Sequence, residues 1–150
     1  SRDVGQCYSL VWDDSDCAVG DYMVYWQNTS TTQDLVIGSA GINSTVAGAF
    51  KLAFVTGTAA TAGTLTPVNL NRSSAKDALA NCLGGSAISG LTEDGVIDLA
   101  LVQDNGHEEF RLGDRVRLGQ NDAIAIEFDR STVGNTIAEG VLFGFYEPTQ

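Results

Sequence analysis

Short segments of strand character, separated by glycine-containing turns, constrain this chain more than any other feature of its sequence. β-Branched, aromatic and alternating apolar residues predict strands at residues 8–12, 21–27, 34–40, 50–56, 65–70, 96–102, 109–118, 123–128 and 140–146. Glycine outnumbers proline by 17 to 2, which is typical of chains with many tight connections between strands. In one domain of 150 residues, this pattern predicts an all-β fold, an antiparallel two-sheet sandwich.

Alternation within two segments predicts which side chains point into the core. Residues 123–128 place two isoleucines and a phenylalanine on one face of a strand, with alanines opposite. In residues 96–102 the uninterrupted apolar set is expected to point inward, namely Ile97, Leu99 and Leu101.

One short helical turn is predicted near residues 74–83. Ser73 or Ser74 would cap its N-terminus, and Gly84 would end it. The turn is too short to form a layer of its own, so the chain is expected to be a single domain. Within it, residues 1–20 are an N-terminal arm or first strand, and residues 21–150 form the β-sandwich.

The chain is strongly acidic, with a formal net charge of −11 and a sequence pI near 4.1. Because phosphate binding needs clustered basic residues, this charge argues against nucleic acid as a partner. The nearest basic group, Arg111, Arg115 and Arg117, is expected to be solvated or in salt bridges. An acidic, lysine-poor surface also suggests a halophilic source, which predicts stabilisation by salt.

No combination of residues in the sequence indicates an enzyme. His107, the single histidine, follows a turn, and the neighbouring Glu108 and Glu109 would face opposite sides of a strand. No phosphate-binding glycine loop or nucleophilic serine motif accompanies them. We therefore expect no catalytic site, no cofactor and no small-molecule substrate. No membrane association is expected either, because no apolar run approaches the roughly 18–20 residues of a spanning helix.

Two residue types are candidates for metal or disulfide chemistry. Asp13, Asp14 and Asp16 are weak candidates for Ca²⁺ ligands, although a solvated turn is the favoured interpretation. Cys7 and Cys17 either bridge the first hairpin or stay free. A buried position is expected for the remaining cysteine, Cys82.

The aromatic segment at residues 22–26 has two interpretations. Tyr22 and Trp26 would share one face of a strand and stack on a sugar, or they would fill the core, which is the favoured interpretation. Three triplets match the glycosylation sequon, and they begin at Asn28, Asn43 and Asn71.

Two stretches carry a resemblance to a known group of proteins. TPVNLNRSS at residues 66–74 and AIAIEFDRSTVGNTIAEGVLFGFYEP at residues 123–148 resemble small virion proteins of tailed phages and related archaeal viruses. The similarity extends over residues 22–147, and the opening residues 1–20 depart from it.

The resemblance implies a jelly-roll-like sandwich without enzymatic activity, assembled as a homotrimer. It implies a capsid decoration or cement protein, bound to the major capsid protein on the outer surface of the head. Candidate interface residues on this interpretation include the arm at residues 1–20 and the side chains of Arg72, Asn69, Asn71, Lys76, Cys7 and Trp12. The alternatives are a tail-fibre or receptor-binding tip domain and a carbohydrate-binding module.

Overall fold

The computed structural model describes residues 7–149, and all regular secondary structure in this range is β-strand. The strands are β1 Cys7–Cys17, β2 Tyr22–Asn28, β3 Gln33–Ser44, β4 Gly48–Ala60, β5 Gly63–Leu65, β6 Val68–Asn69, β7 Ala80–Val102, β8 Gly106–Glu109, β9 Val116–Leu118, β10 Ala123–Arg130 and β11 Thr136–Pro148. Residues 7–149 contain no helix long and apolar enough to cross a membrane.

The first sheet, called sheet A, has the strand order β6–β1–β11–β3. All of these neighbours run antiparallel. Two short strands pair with the far edge of β3, β9 near its start and β8 near its end. The region predicted as an arm or first strand thus contains β1, an interior strand of sheet A, and residues 1–6 lie outside the described range.

The second sheet, called sheet B, consists of β2, β10, β4, β7 and the short β5. β10 lies between β2 and β4. The long strand β7 closes this sheet on itself, because its first part pairs with β2 and its second part pairs with β4. A single parallel bridge between Asp14 and Gly85 joins the two sheets.

The main core fills the space between the sheets, as the sandwich prediction requires. Sheet A contributes Leu10 and Leu142, and sheet B contributes Trp26 and Ile124, all fully or almost fully buried. The fold prediction is therefore confirmed in its all-β character and its two-sheet, jelly-roll-like arrangement.

A second, smaller core lies on the other face of sheet B. Strands β4 and β5 both pair with β7. The middle of this paired region forms a ribbon that folds back over this face of sheet B, and it comprises residues 57–63 and 84–91. Gly57 and Gly90 face each other there with positive φ angles, and a Cβ on either would collide with the opposite backbone. The ribbon covers Ala123 and Ala125, which alternate with the core isoleucines of β10.

The predicted helical turn near residues 74–83 is wrong. Residues 74–79 are irregular, and β7 begins at Ala80. The carbonyl of Lys76 accepts hydrogen bonds from the Tyr8 hydroxyl and the Asn69 amide, and the Leu79 carbonyl accepts from Tyr146 and the Thr29 amide. Because these carbonyls bond to distant groups, they are not engaged in a helical ladder.

The expected inward face of residues 96–102 is correct at Ile97, which is partly buried and packs against the main core, and wrong further along the strand. Ala100 and Val102 are buried in the main core, whereas Leu101 is exposed. The pairing of β7 with β4 shifts register between Leu52 and Ala53, and again before Val55. Such bulges exchange the faces of a strand, which simple alternation cannot anticipate.

Candidate functional site

The outer face of sheet A carries a connected group of exposed apolar side chains. In β1, Tyr8, Leu10 and Trp12 point into the core, so Val11 must point to the outside, where it is 67% exposed. We call this surface the apolar outer face and define it by Val11, Val68, Val141 and Phe143.

Strand register brings these four side chains together. Val11 lies directly opposite Val141 of β11. Two residues before Val11 in β1, Ser9 lies between Val68 of β6 and Phe143 of β11. Ser9 is itself buried, whereas Val68 and Phe143 on either side of it are exposed.

Polar side chains border the apolar outer face on one side. The row after Val11 contains Asp13, opposite Glu139 of β11, which is in turn opposite Asn43 of β3. His107 of β8 completes this row, and its Nδ1 lies 2.5 Å from Asn43 Oδ1. Its Nε2 lies 2.5 Å from Glu109 Oε2.

Gly41 leaves space above the sheet for the side chains of His107 and Glu109. It is opposite Val141, and a Cβ there would meet the side chains of Glu109 and His107. The border is therefore predominantly acidic, with carboxylates from Asp13, Glu139 and Glu109. An apolar centre with a charged rim is the composition of a protein-binding surface.

Most of the predicted interface residues of the loop at 66–79 shape that loop through hydrogen bonds. Asn69 Oδ1 accepts from the Asn71 amide, and Asn71 Oδ1 accepts from the Ser73 amide. Arg72 and Lys76 are exposed. The loop is bound to the edge of sheet A through β6 and through the hydrogen bond from the Leu70 amide to the Cys7 carbonyl.

Two further interface candidates lie on β1, and the prediction for Trp12 needs correction. Trp12 is 1% exposed because its position in the strand points into the core, so it offers no surface to a partner. Cys7 is half-buried at the start of the strand. Cys7 and Cys17 are both free, and they occupy the two ends of one extended strand, roughly 30 Å apart at 3.3 Å per residue.

The pairing of Tyr22 and Trp26 as a sugar platform is contradicted as well. Trp26 is 0% exposed in the main core, which confirms the favoured interpretation. Tyr22 packs with the smaller core on the opposite face of sheet B. A register shift between Tyr22 and Val24 separates the two rings.

The three sequons differ in accessibility. Asn28 is buried, and its amide donates to the carbonyls of Gln33 and Leu118. Asn43 is exposed beside His107, and Asn71 is partly buried in the loop at 66–79. A glycosylating enzyme would reach Asn28 only in the unfolded chain.

The potential metal ligands near residues 13–16 are a different set from the three aspartates that were predicted. Asp13 and Asp16 are exposed, whereas Asp14 and Cys17 are buried and lie close to Asp21. One potential ligand atom from each of Asp14, Cys17 and Asp21 lies within 4.8 Å of the other two. Burial raises the pKa of the Asp14 carboxyl and of the Cys17 thiol, and in each case neighbouring carboxylates add to the effect.

The apolar outer face was missed from the sequence for an identifiable reason. Alternation identifies the outer face of a strand only when one side is polar, and residues 140–146 are apolar on both faces. A strand with two apolar faces, such as GVLFGFY, indicates that each side has a contact surface.

No protein-family model matches the chain, and neither a curated protein nor a solved structure shows significant similarity to it.

Proposed function

We propose that this chain is a structural assembly protein that binds copies of itself side by side through the apolar outer face of sheet A. The observation that carries the proposal is the pairing of exposed Val11 with half-buried Val141, extended by exposed Val68 and Phe143. Removing apolar area from water contributes roughly 25 cal/mol per Å², so a flat apolar sheet face favours association.

A second surface of the same protein complements this face. Leu101 of β7 is exposed and lies beside Ala47 and Arg130 on sheet B. Arg130, which is 3.2 Å from Asp129 and has a largely exposed side chain, brings a positive charge to this patch, whereas Asp13, Glu139 and Glu109 make the rim of the apolar outer face negative. Opposite charges around two apolar centres favour contact between unlike surfaces.

Repeated contact between two unlike surfaces generates a closed ring when the rotation from each copy to the next adds up to a full turn. A homotrimer is the ring that we propose. Each junction would need to bury about 800 Å² per partner to be stable, an area of 20–30 residues on each side.

We further propose that the trimer decorates the outer surface of a viral head and binds the major capsid protein. The support for this location is the resemblance of residues 66–74 and 123–148 to small virion proteins. The exposed loop at 66–79, with Arg72 at its tip, extends from sheet A beside the apolar outer face and is the proposed lattice contact. Three loops per trimer would multiply a weak single contact.

Light scattering coupled to size exclusion tests the self-assembly. The wild-type chain is expected to elute as a trimer, and Val11→Glu is expected to give monomers because it places a carboxylate in the apolar centre. Val96→Glu is the matched control, since Val96 is an exposed valine on β7 outside both surfaces. A wild-type monomer, or a trimer that Val11→Glu leaves intact, would contradict the proposal.

Negative-stain imaging of virus particles tests the location. Labelled protein is expected on the head, and Arg72→Glu is expected to reduce the number of bound copies while the trimer persists. Label on the tail would instead support a receptor-binding tip. Absence from particles would reject the virion assignment while leaving the self-assembly result standing.

A further inference from the structure

The end of β1 and the turn into β2 hold three potential metal ligands at one point. Asp14 faces inward by the alternation that also buries Leu10 and Trp12. The pairing of β1 with β11 shifts register between Asp14 and Cys17, and this shift turns Cys17 inward as well. Asp21, the residue before β2, completes the group.

The Asp14 carboxylate has an oxygen that the fold leaves without a partner. Asp14 is 3% exposed, and its Oδ1 accepts a hydrogen bond from the Asp16 amide at 3.1 Å. Its Oδ2 is buried and has no hydrogen-bond partner. An orphaned buried carboxylate oxygen costs free energy, so its presence needs a physical reason.

The second carboxylate is held in a similar way. Asp21 Oδ2 accepts from the Ala18 amide at 3.0 Å, and the Asp21 amide donates to the Ala18 carbonyl at 3.0 Å. Each carboxylate is thus oriented by one backbone amide, which leaves its other oxygen for a ligand. Such supporting hydrogen bonds are typical of metal-binding side chains.

We propose that Asp14, Cys17 and Asp21 bind one zinc ion through two carboxylate oxygens and one thiolate sulfur. The donor set decides the metal, because Ca²⁺ takes six to eight oxygen ligands and does not favour sulfur. Zinc accepts mixed sulfur and oxygen ligands in a tetrahedron, and a water molecule fills the fourth position here. Binding forms the Zn–S bond and releases the thiol proton of Cys17 to solvent.

The distances require only a small closing movement. Zinc bonds of about 2.0–2.3 Å place tetrahedral ligand atoms roughly 3.5 Å apart. The present separations reach no more than 4.8 Å, so a contraction of about 1 Å is sufficient. Val19 and Gly20, in the turn before Asp21, are exposed, and the bound ion would link sheet A to sheet B at the residue before β2.

Titration of the full chain with Zn²⁺ and Co²⁺ under reducing conditions tests the site. One equivalent of Zn²⁺ is expected to bind and to raise the melting temperature. Co²⁺ is expected to produce the near-ultraviolet sulfur-to-cobalt charge-transfer absorption that only a thiolate ligand gives. Cys17→Ala is expected to abolish that absorption, and Cys82→Ala, which removes another buried thiol, is expected to keep it.

Two carboxylate variants make the test independent of the cysteine, since Cys17 lies in the core. Asp21→Asn changes a partly exposed ligand and is expected to weaken zinc binding by on the order of 100-fold. Asp13→Asn, an exposed acid of the same segment, is expected to bind as the wild type does. The proposal is overturned if the folded wild type binds no Zn²⁺, if Cys17→Ala retains the cobalt absorption, or if Ca²⁺ raises the melting temperature equally.

Discussion

Asn28 is the most buried polar side chain among residues 7–149, and it connects three separate segments. Its amide nitrogen donates to the Gln33 and Leu118 carbonyls, both at 2.9 Å, and its Oδ1 accepts from the Ser30 amide at 2.9 Å. A side chain predicted only as a possible glycan acceptor is thus a structural centre.

We expect Asn28→Ala to destabilise the protein by about 3 kcal/mol, because two buried backbone groups and one partly buried carbonyl lose their partner. Urea denaturation monitored by tryptophan fluorescence measures this. Asn71→Ala is the control, since Asn71 forms a turn in a partly exposed loop, and its cost should stay under about 1 kcal/mol. Equal destabilisation by the two variants would contradict the assignment.

Asp98 forms an ion pair with Arg111. Its side chain is 10% exposed and accepts from Arg111 Nη2 at 2.6 Å, Arg111 Nε at 3.2 Å and the Arg111 amide at 2.7 Å. Hydrogen bonding from the Arg111 side chain lowers the pKa of the Asp98 carboxyl from 3.8 to about 2. Arg111 was expected to be solvated or in a salt bridge, and the structure shows the salt bridge.

Because the folded pKa lies below the unfolded value, the Asp98 carboxylate stabilises the fold above about pH 4. That contribution is lost as the pH falls through about 2. Arg111→Gln is expected to raise the pKa of Asp98 towards its ordinary value and to flatten the loss of stability between these two pH values. Carbon-detected NMR titration measures the pKa of Asp98. Arg115→Gln is the control, because Arg115 donates to the Leu112 carbonyl, and this variant should leave the pKa of Asp98 unchanged.

Strand β11 approaches its neighbours more closely than an ordinary side chain permits. Gly140 faces the core opposite Trp12, and a Cβ there would lie 2.8 Å from Trp12 Cζ2 and collide with the Gly41 carbonyl oxygen. Glycine at this position lets the indole ring lie against the strand.

Gly140→Ala is expected to cost about 2–3 kcal/mol, since either the indole or strand β3 must move. Gly63→Ala provides the comparison, because its Cβ would meet only the Gly84 carbonyl oxygen at 3.4 Å. Thermal unfolding followed by calorimetry distinguishes them. A Gly140→Ala protein as stable as Gly63→Ala would show that the strands adjust freely.

The loop at 66–79 and strand β7 show how neighbouring elements override local preference. Residues 74–83 contain a capping serine, alanines and a terminal glycine, which together favour a helix. In the fold, residues 80–83 pair with β2, and the preceding carbonyls accept bonds from Tyr8, Tyr146 and Thr29. A helix so short contributes little by itself, so these tertiary bonds prevail.

The charge of the entire molecule sets its response to salt. A net charge of −11 on a 15.8 kDa chain produces repulsion between exposed carboxylates, and ions at about 1 M screen it beyond roughly 3 Å. We expect the melting temperature to rise between low and molar NaCl. The double variant Asp94→Asn, Glu108→Gln removes two exposed charges and should reduce this rise. A melting temperature that does not respond to salt would reject the halophilic hypothesis.

The sequence by itself determined the β-rich class, most strand positions and the inward face of β10, since these depend on composition and two-residue alternation. Only the tertiary structure decided which strands are neighbours, where bulges exchange faces, and that Asp14, Cys17 and Asp21 meet. The reason is physical: pairing between distant strands sets register, and a shift of one residue moves a side chain to the opposite face. The apolar outer face of sheet A depends on the same register, because Val11 and Val141 are 130 residues apart and become neighbours only when β1 pairs with β11.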